Sequence, residues 1–480
     1  MRFIIENFGP IEEADIILRD LNIFIGKNSA GKSYLAYLIW ALLSVEPNWE
    51  KLRNLFDEFI PNDLIRKAIS RDREIHGKFQ GKMDDFDFKK YVDELYEINE
   101  ELSRRFKSLI IEVFKRFDDI WGRSLENLLK DTFLIDNLGE LVRTGCDKAK
   151  IIICDDKCKN RITVEFDENG LQSYVDEEVF KTLEENIYVT VVSGEPMFLT
   201  LYYFENSKEY TQDFFFSENY QSIGIIPTLF MWFFDDYAPY TTTFIAPDGR
   251  TGLIRSMEAY NYALMSGRVT INEVDRRFMQ DCMSMYPKIK NEEICKIADF
   301  LEEKLGIKYI LRREQPRFVI RVREIEMPLQ RAPSGYRELA PLIYATRYLL
   351  DKDHVVFVEE PEAHLHPDAQ VIVTRALAGL SKHCYVVITT HSITVLDEIS
   401  NLLKLSKVSD KSRFGYEEWE GLRPENVGIF LFSDGNVQEL EVDEEGIEES
   451  DLDRVVMEIA NLHARVEAEY ERSRRLQAQR

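Results

Sequence analysis

A chain of 480 residues, 45% apolar and 31% charged, is long enough for two or three structural units and has an ordinary globular balance. No apolar run reaches the roughly 18 residues of a membrane span, and the most apolar helical stretch, residues 35–45, is short and too far from the start for a signal peptide; a cytoplasmic protein with no membrane partner is expected. The net charge of −25 repels nucleic acid on average without excluding a local basic groove.

In chain order, residues 2–5 and 15–25 are rich in Ile, Leu and Phe and read as strands. A glycine-containing loop and a helix over residues 32–44 follow, which is the context a phosphate-binding loop requires. The loop, Gly26-Lys27-Asn28-Ser29-Ala30-Gly31-Lys32-Ser33, fits G-x-x-x-x-G-K-[ST]. Its glycines let the backbone wrap phosphate oxygens, and its amides and the helix N-terminus supply donors and positive potential. Lys32 has the reach for the β- and γ-phosphates, and the Ser33 hydroxyl is a Mg²⁺ ligand.

Residues 46–131 read as charged helix. Leu95, Ile98, Leu102, Phe106, Leu109, Val113, Phe117 and Ile120 recur at three- and four-residue steps and share one face. That face either packs on neighbouring helices or forms a dimerising coiled coil. From residue 150 to 244 the chain is β-rich, as at 161–166, 187–192 and 197–204, with dense aromatics (Tyr202, Tyr203, Phe204, and Phe214 to Phe216) that read as core or interface rather than as a stacking surface for bases. Six scattered cysteines lack a disulfide framework, and Cys154 and Cys158, spaced C-x₃-C without a second pair, do not make a zinc site. Helix returns over 257–305 and short strands over 308–327. The basic stretch 312–331 and the arginines Arg472, Arg474, Arg475 and Arg480 read as solvated faces.

The last third alternates helix (338–350), strand (355–358), helix (368–380), strand (385–388) and helix (393–401), then a hairpin near 428–442 and a terminal helix from 451. Val355-Val356-Phe357-Val358-Glu359-Glu360 is a buried strand delivering two carboxylates at its C-terminal end, where ligands sit on a parallel sheet. Glu359 is expected to hold Mg²⁺ and Glu360 to accept a proton from, or orient, an attacking water. Thr389-Thr390-His391-Ser392 follows the next apolar strand, and a histidine there reaches a γ-phosphate. In Ala332-Pro333-Ser334-Gly335-Tyr336-Arg337-Glu338, the Ser334 side chain and Gly335 amide open a helix, a place for helix capping and for an anion alike.

These four elements in this order resemble the ABC-type ATPases, specifically the SMC, RecF and OLD branch, and most closely the stand-alone or OLD-like AAA ATPases. Glu359-Glu360-Pro361-Glu362-Ala363-His364-Leu365-His366-Pro367 is similar to that branch's extended Walker B and D-loop, Asn7-Phe8-Gly9-Pro10-Ile11 to its opening strand and turn, and residues 244–253, with Pro247, Gly249 and Arg250, to a further family segment. The likeness spans some 250 residues at the two ends of the chain and little of 46–240. Two departures stand out: Glu359 replaces the usual aspartate, and the signature reads Pro-Ser-Gly-Tyr-Arg. The Q-loop glutamine has no clear counterpart, with Asp248 or Arg250 in that region. His364 and His366 form an H-x-H pair whose place in the D-loop argues against metal.

The resemblance implies an α/β fold: a P-loop NTPase head of ABC type, a mixed sheet flanked by helices, with a helical insertion and a β-rich segment. It would be laid out as an N-terminal head part (1–45), a helical insertion and possible dimerisation arm (46–148), the β-rich segment (149–245), linking helices and strands (246–330) and a C-terminal head part (331–480). It also implies ATP with Mg²⁺ as cofactors, a homodimer of heads or a higher homo-oligomer, Ser334 and Gly335 of one copy contacting the nucleotide on the other's Lys32, and His391 as the switch histidine. OLD nucleases carry a Toprim domain after the ATPase. The acids at 443–445 and 448–453 read as charged surface instead, so the expected role is a nucleotide-driven sensor or scaffold for a separate effector, a nuclease in prokaryotic defence. The alternative is a RecF-like repair ATPase that clamps DNA directly.

Overall fold

The computed structural model describes residues 1–61, 63–64, 67, 70, 88–155, 157–158, 161–176, 187–192, 198–205, 208–215, 242–265, 271–314, 317–352, 354–447, 461–467 and 470. The elements in chain order are β1 (Arg2–Phe8), β2 (Ile11–Ile17), β3 (Leu21–Gly26), α1 (Lys32–Ser44), α2 (Trp49–Phe59), α3 (Phe88–Lys115), α4 (Arg123–Phe133), β4 (Ala149–Cys154), β5 (Arg161–Asp167), β6 (Gly170–Val175), β7 (Ile187–Val192), β8 (Phe198–Glu205) and β9 (Lys208–Phe215). They continue as β10 (Thr243–Ala246), α5 (Arg250–Met265), α6 (Glu273–Ser284), α7 (Glu292–Leu305), β11 (Ile307–Leu311), β12 (Phe318–Val322), β13 (Ile325–Pro328), α8 (Ser334–Tyr348), β14 (Val355–Glu359), α9 (Pro367–Leu380), β15 (Tyr385–Thr390), α10 (Ile393–Leu405), β16 (Val427–Ser433) and β17 (Asn436–Glu439). The chain forms two compact units, one of residues 1–13 and 37–242, the other of 14–36 and 243–480.

In the first unit, β1, β4, β5 and β6 pair antiparallel in that order, and β7, β8 and β9 form a separate antiparallel sheet. The apolar stripe packs inside this unit: Leu102, Phe106, Leu109, Val113, Phe117 and Ile120 are all buried, and Phe106 meets Phe56 of α2 edge to face with ring centroids 6.0 Å apart. Leu95 and Ile98 fall outside the residues whose side chains are described, as do Tyr202, Tyr203, Phe204 and Phe214 to Phe216. The arginines at 472–480 and residues 451–460 of the expected terminal helix lie outside the described residues too. Cys154 and Cys158, among the cysteines read as lacking a disulfide framework, are joined by a disulfide: the turn after β4 brings their Cα atoms to 4.9 Å.

The second unit is built on a mixed sheet of order β10-β14-β15-β3-β16-β17. The first five strands run parallel and β17 returns antiparallel from β16. Val-, Ile- and Phe-rich strands are what a parallel sheet covered on both faces requires, and β3 and β14 are buried along their whole length. Residues such as Ile23, Val356, Ile388, Ile343, Ala376 and Leu402 make its core. The stretch expected as one strand over 15–25 is two, because buried Asn22 ties the intervening turn: its side chain accepts from the Arg19 amide at 2.9 Å and donates to the Arg19 carbonyl at 2.6 Å. No described helix is long and apolar enough to cross a membrane.

Helix α9 is fastened to the 415–420 turn by Arg375, whose guanidinium makes a bidentate pair with the fully buried Glu420 carboxylate and stacks on Tyr416, 4.3 Å from its ring centroid. Removing one member of a buried pair strands the other charge. Glu420→Ala is therefore expected to cost about 3–5 kcal/mol of stability, read as a lowered midpoint in urea unfolding.

Candidate functional site

Three strand ends define the site. Parallel pairing sets Glu359 of β14 beside Thr389 of β15, and Thr390 beside Ile25 of β3. The glycine loop, the carboxylate pair and His391 thus leave the sheet on one edge, the carboxyl edge at which parallel sheets bind ligands.

The loop begins at Gly26, whose φ of +142° is open to glycine alone; a Cβ there would also stand 2.4 Å from the Phe432 carbonyl oxygen. Lys27, Asn28 and Ser29 are exposed, Ser29 takes φ +63°, and the Ala30 amide closes the turn onto the Lys27 carbonyl at 3.3 Å. Gly31 leads into α1, which opens with Lys32 and the exposed Ser33. Lys32 is buried and donates Nζ to the carbonyls of Gly26 and Lys27, 3.0 Å each. Burial pushes its ammonium down to about 8, against the pull of Glu360, Glu362 and Glu359.

The carboxylates have distinct settings. Glu359 is buried and its Oε2 accepts the Asp248 amide at 3.0 Å. Glu360 is half-buried and lies in the left-handed region at φ +40°, with its amide donating to the Thr389 carbonyl at 2.9 Å. Burial raises the Glu360 carboxyl above the usual range, and Asp248, Glu362 and Glu359 add to this while Lys32 opposes it. Such a shift suits a carboxylate that must take up a proton. His391 Nε2 stands 3.7 Å from Glu360 Oε1, too far for a hydrogen bond. Burial and then the Lys32 charge hold this imidazole below the ordinary histidine value, so it is neutral at pH 7.

Several residues to which the motifs assigned no role hold this arrangement. Glu362 accepts from the Thr390 hydroxyl at 2.5 Å and the His391 amide at 3.0 Å, fixing the histidine loop. Ser392 caps α10 and donates to Gln370 Oε1 at 2.8 Å, while Gln370 Nε2 reaches the Leu365 carbonyl at 3.1 Å. Asp248 and Arg250 flank the turn after β10, beside β14. Arg250 is buried against the ends of β14 and α8. In the sequence, Glu362 and Ser392 stood within the motifs without a role, and Asp248 and Arg250 only in the region of the Q-loop, after an apolar strand.

Ser334 and Gly335 open α8, and Gly335 lies against the 364–365 turn: a Cβ on it would meet the His364 carbonyl oxygen at 3.1 Å. The expected helix cap is not formed. Pro333 takes the cap position without a side-chain bond, which leaves Ser334 exposed as the first helical residue. His366 caps α9, accepting the Asp368 amide at 3.4 Å, and exposed His364 takes φ +59°. Among the described residues no three His, Cys, Asp or Glu side chains converge as a protein metal cage. A nucleotide-borne Mg²⁺ needs none, since it keeps waters and phosphate oxygens and takes one or two protein ligands; exposed Ser33 and the Glu359 carboxylate fit that donor set.

Because the Ser334 hydroxyl caps nothing, Ser334→Ala is expected to leave stability within about 0.5 kcal/mol of the parent, against about 1 kcal/mol for loss of a true cap, as thermal unfolding would show.

A protein-family model described as an AAA ATPase domain matches residues 1–231 and 250–396. No curated protein matches the chain. Among solved structures it is similar to an SMC head bound to the C-winged helix domain of ScpA, at 9% identity and a TM-score of 0.39 over 92% of this chain and 98% of that one. It is also similar to the SMC head domain from Thermotoga maritima, at 10% identity and a TM-score of 0.35 over 92% and 98%. A third is the Smc head domain with an extended coiled coil, bound to the C-terminal domain of ScpA, from Pyrococcus furiosus, at 10% identity and 0.37 over 96% and 98%. At these TM-scores the likenesses carry no weight for function.

Proposed function

Since the chain belongs to the AAA ATPase domain family, we propose that it binds and hydrolyses ATP at the edge formed by β3, β14 and β15. The observation that carries this reading is the convergence of a lysine-bearing glycine loop, two carboxylates and a histidine on three adjacent strand ends. Backbone amides of residues 26–33 and the N-terminus of α1 would cradle the phosphates. Lys32 would exchange its two carbonyl partners for phosphate oxygens. Ser33 and Glu359 would hold Mg²⁺, which when bound neutralises charge on the phosphate oxygens. Glu360 would take a proton from the water whose oxygen bonds to the γ-phosphorus as the bond to the ADP oxygen breaks. Neutral His391 would donate a hydrogen bond to the γ-phosphate.

Lys32→Ala is expected to weaken nucleotide binding by roughly ten- to a hundredfold, the worth of a charge-assisted hydrogen bond. Glu360→Gln should bind ATP normally and turn over about a hundredfold or more slowly; unchanged turnover in this variant would remove Glu360 from its role. The lowered Lys32 ammonium gives a pH signature. A phosphate ligand favours the protonated amine, which is lost as pH rises through about 8. Affinity for a non-hydrolysable ATP analogue should be flat below that pH and fall above it, approaching about tenfold per unit, in a fluorescence titration.

A finer reading concerns assembly. Exposed Ser334 and half-exposed Gly335, which cap no helix of their own, are suited to a nucleotide held by a second copy, so that ATP would close two heads and hydrolysis would reopen them. Dimerisation of Glu360→Gln with ATP, lost in Ser334→Arg, would be seen by light scattering. On the family resemblance such a switch would drive a separate effector, a nuclease in prokaryotic defence. DNA cleavage by the purified chain, lost in Lys32→Ala, would overturn that role, whereas ATPase activity stimulated by DNA and falling steeply with salt would favour a DNA clamp.

A further inference from the structure

Arg250 is an arginine with 2% of its surface exposed, at the first residue of α5. Its guanidinium donates to four backbone carbonyls and pairs with one carboxylate. Nε donates to the Glu338 carbonyl at 3.1 Å, and Nη1 to the Pro247 carbonyl at 3.0 Å and the Glu359 carbonyl at 2.7 Å. Nη2 donates to the Glu360 carbonyl at 3.2 Å and stands 3.0 Å from Glu338 Oε1. A charge this deeply buried needs such partners, and a lysine cannot supply the same planar fork.

Two of these acceptors matter together. The Glu359 carbonyl belongs to the peptide plane before the Glu360 Cα, and the Glu360 carbonyl to the plane after it. One rigid guanidinium therefore fixes both planes, and with them φ and ψ of Glu360. That residue sits at φ +40°, a conformation disfavoured for a side chain with a Cβ and kept only where the surroundings over-determine it. The Glu360 amide bond to the Thr389 carbonyl, 2.9 Å, holds the first plane from the β15 side; the second plane is held by Arg250. Relaxation to the right-handed region would rotate that plane and swing the carboxylate away from His391.

We propose that Arg250 is a positioning residue for hydrolysis: it holds Glu360 in its left-handed conformation by clamping the carbonyls on either side of it, and Glu338 in the first turns of α8 anchors the clamp. This rests on the reading of Glu360 as the group that takes the water's proton. The clamp acts on the orientation of that carboxylate and not on the glycine loop, so it should govern turnover and leave nucleotide affinity alone.

The test uses the full chain in three variants beside the parent. Arg250→Lys keeps the charge and loses the fork. Arg250→Met with Glu338→Leu replaces the buried pair by apolar groups, a change that buried ion pairs commonly tolerate, and still removes both carbonyl donors. Glu360→Gln reports on the base itself. For each, kcat, KM and the stoichiometry and affinity of a non-hydrolysable ATP analogue are measured, with kcat normalised to the nucleotide-binding fraction and melting temperature as the check on folding. Expected for both Arg250 variants is a kcat lower by about ten- to a hundredfold, the cost of a misplaced catalytic group, with analogue affinity within about threefold of the parent. A normalised kcat within about threefold of the parent, in whichever Arg250 variant keeps the parent's melting temperature, overturns the clamp while Glu360→Gln remains slow. Loss of affinity matching the loss of kcat overturns it as well, since that is what general disruption of the site produces. Normal turnover by Glu360→Gln would instead defeat the base assignment, so the two failures are distinguishable.

Discussion

The parallel register of β14, β15 and β3 is the constraint on which the site depends. Parallel strands deliver their carboxyl ends to a common edge, and here the pairs Glu359 with Thr389 and Thr390 with Ile25 set three motifs within one residue of the same level. A slip of one residue in β14 would turn the Glu359 side chain to the other face of the sheet and carry Glu360 with it. The apolar runs that fill these strands therefore do more than form a core. By fixing register through burial on both faces, they place a glycine loop, a pair of carboxylates and a histidine that lie up to 365 residues apart in the chain, from Gly26 to His391.

Charge is crowded at that edge. Burial, then Asp248, Glu362 and Glu359, raise the Glu360 carboxyl, while burial lowers the Lys32 ammonium against the pull of Glu360, Glu362 and Glu359. Glu360 and Lys32 are thereby brought nearer the pH at which they can change charge, a feature typical of sites that bind or transfer protons. The second cation, Arg250, offsets the acidic surroundings, donating to backbone carbonyls and forming an ion pair with the Glu338 carboxylate.

Part of the chain's backbone strain lies at the same place. Ser29, Glu360 and His364 all take positive φ without being glycine, and each lies in a loop that the sheet and its flanking helices fix at both ends. Strain of this kind persists where packing over-determines the chain. The bonds from Thr389 and Arg250 to the backbone around Glu360 provide that over-determination. Helix α8, whose first turns contain Ser334 and Glu338, meets the same guanidinium. The proposed partner-facing segment and the proposed base therefore share one buried anchor.

The sequence by itself determined the α/β class, the glycine loop at Gly26 to Ser33, the strand ending in Glu359 and Glu360, and the histidine after β15, because each is a local pattern of a strand, a turn and a helix that short-range chemistry imposes. It did not show the break between β2 and β3, which depends on the buried side chain of Asn22, nor that the helix cap expected of Ser334 is left to Pro333. It also did not show that Cys154 and Cys158 bond to each other, or that Leu102 to Ile120 pack within their own unit. The roles of Glu362 and Arg250 were decided by tertiary structure alone. Their partners lie on neighbouring strands and helices, and no pattern within one segment records which distant carbonyl a buried guanidinium will find.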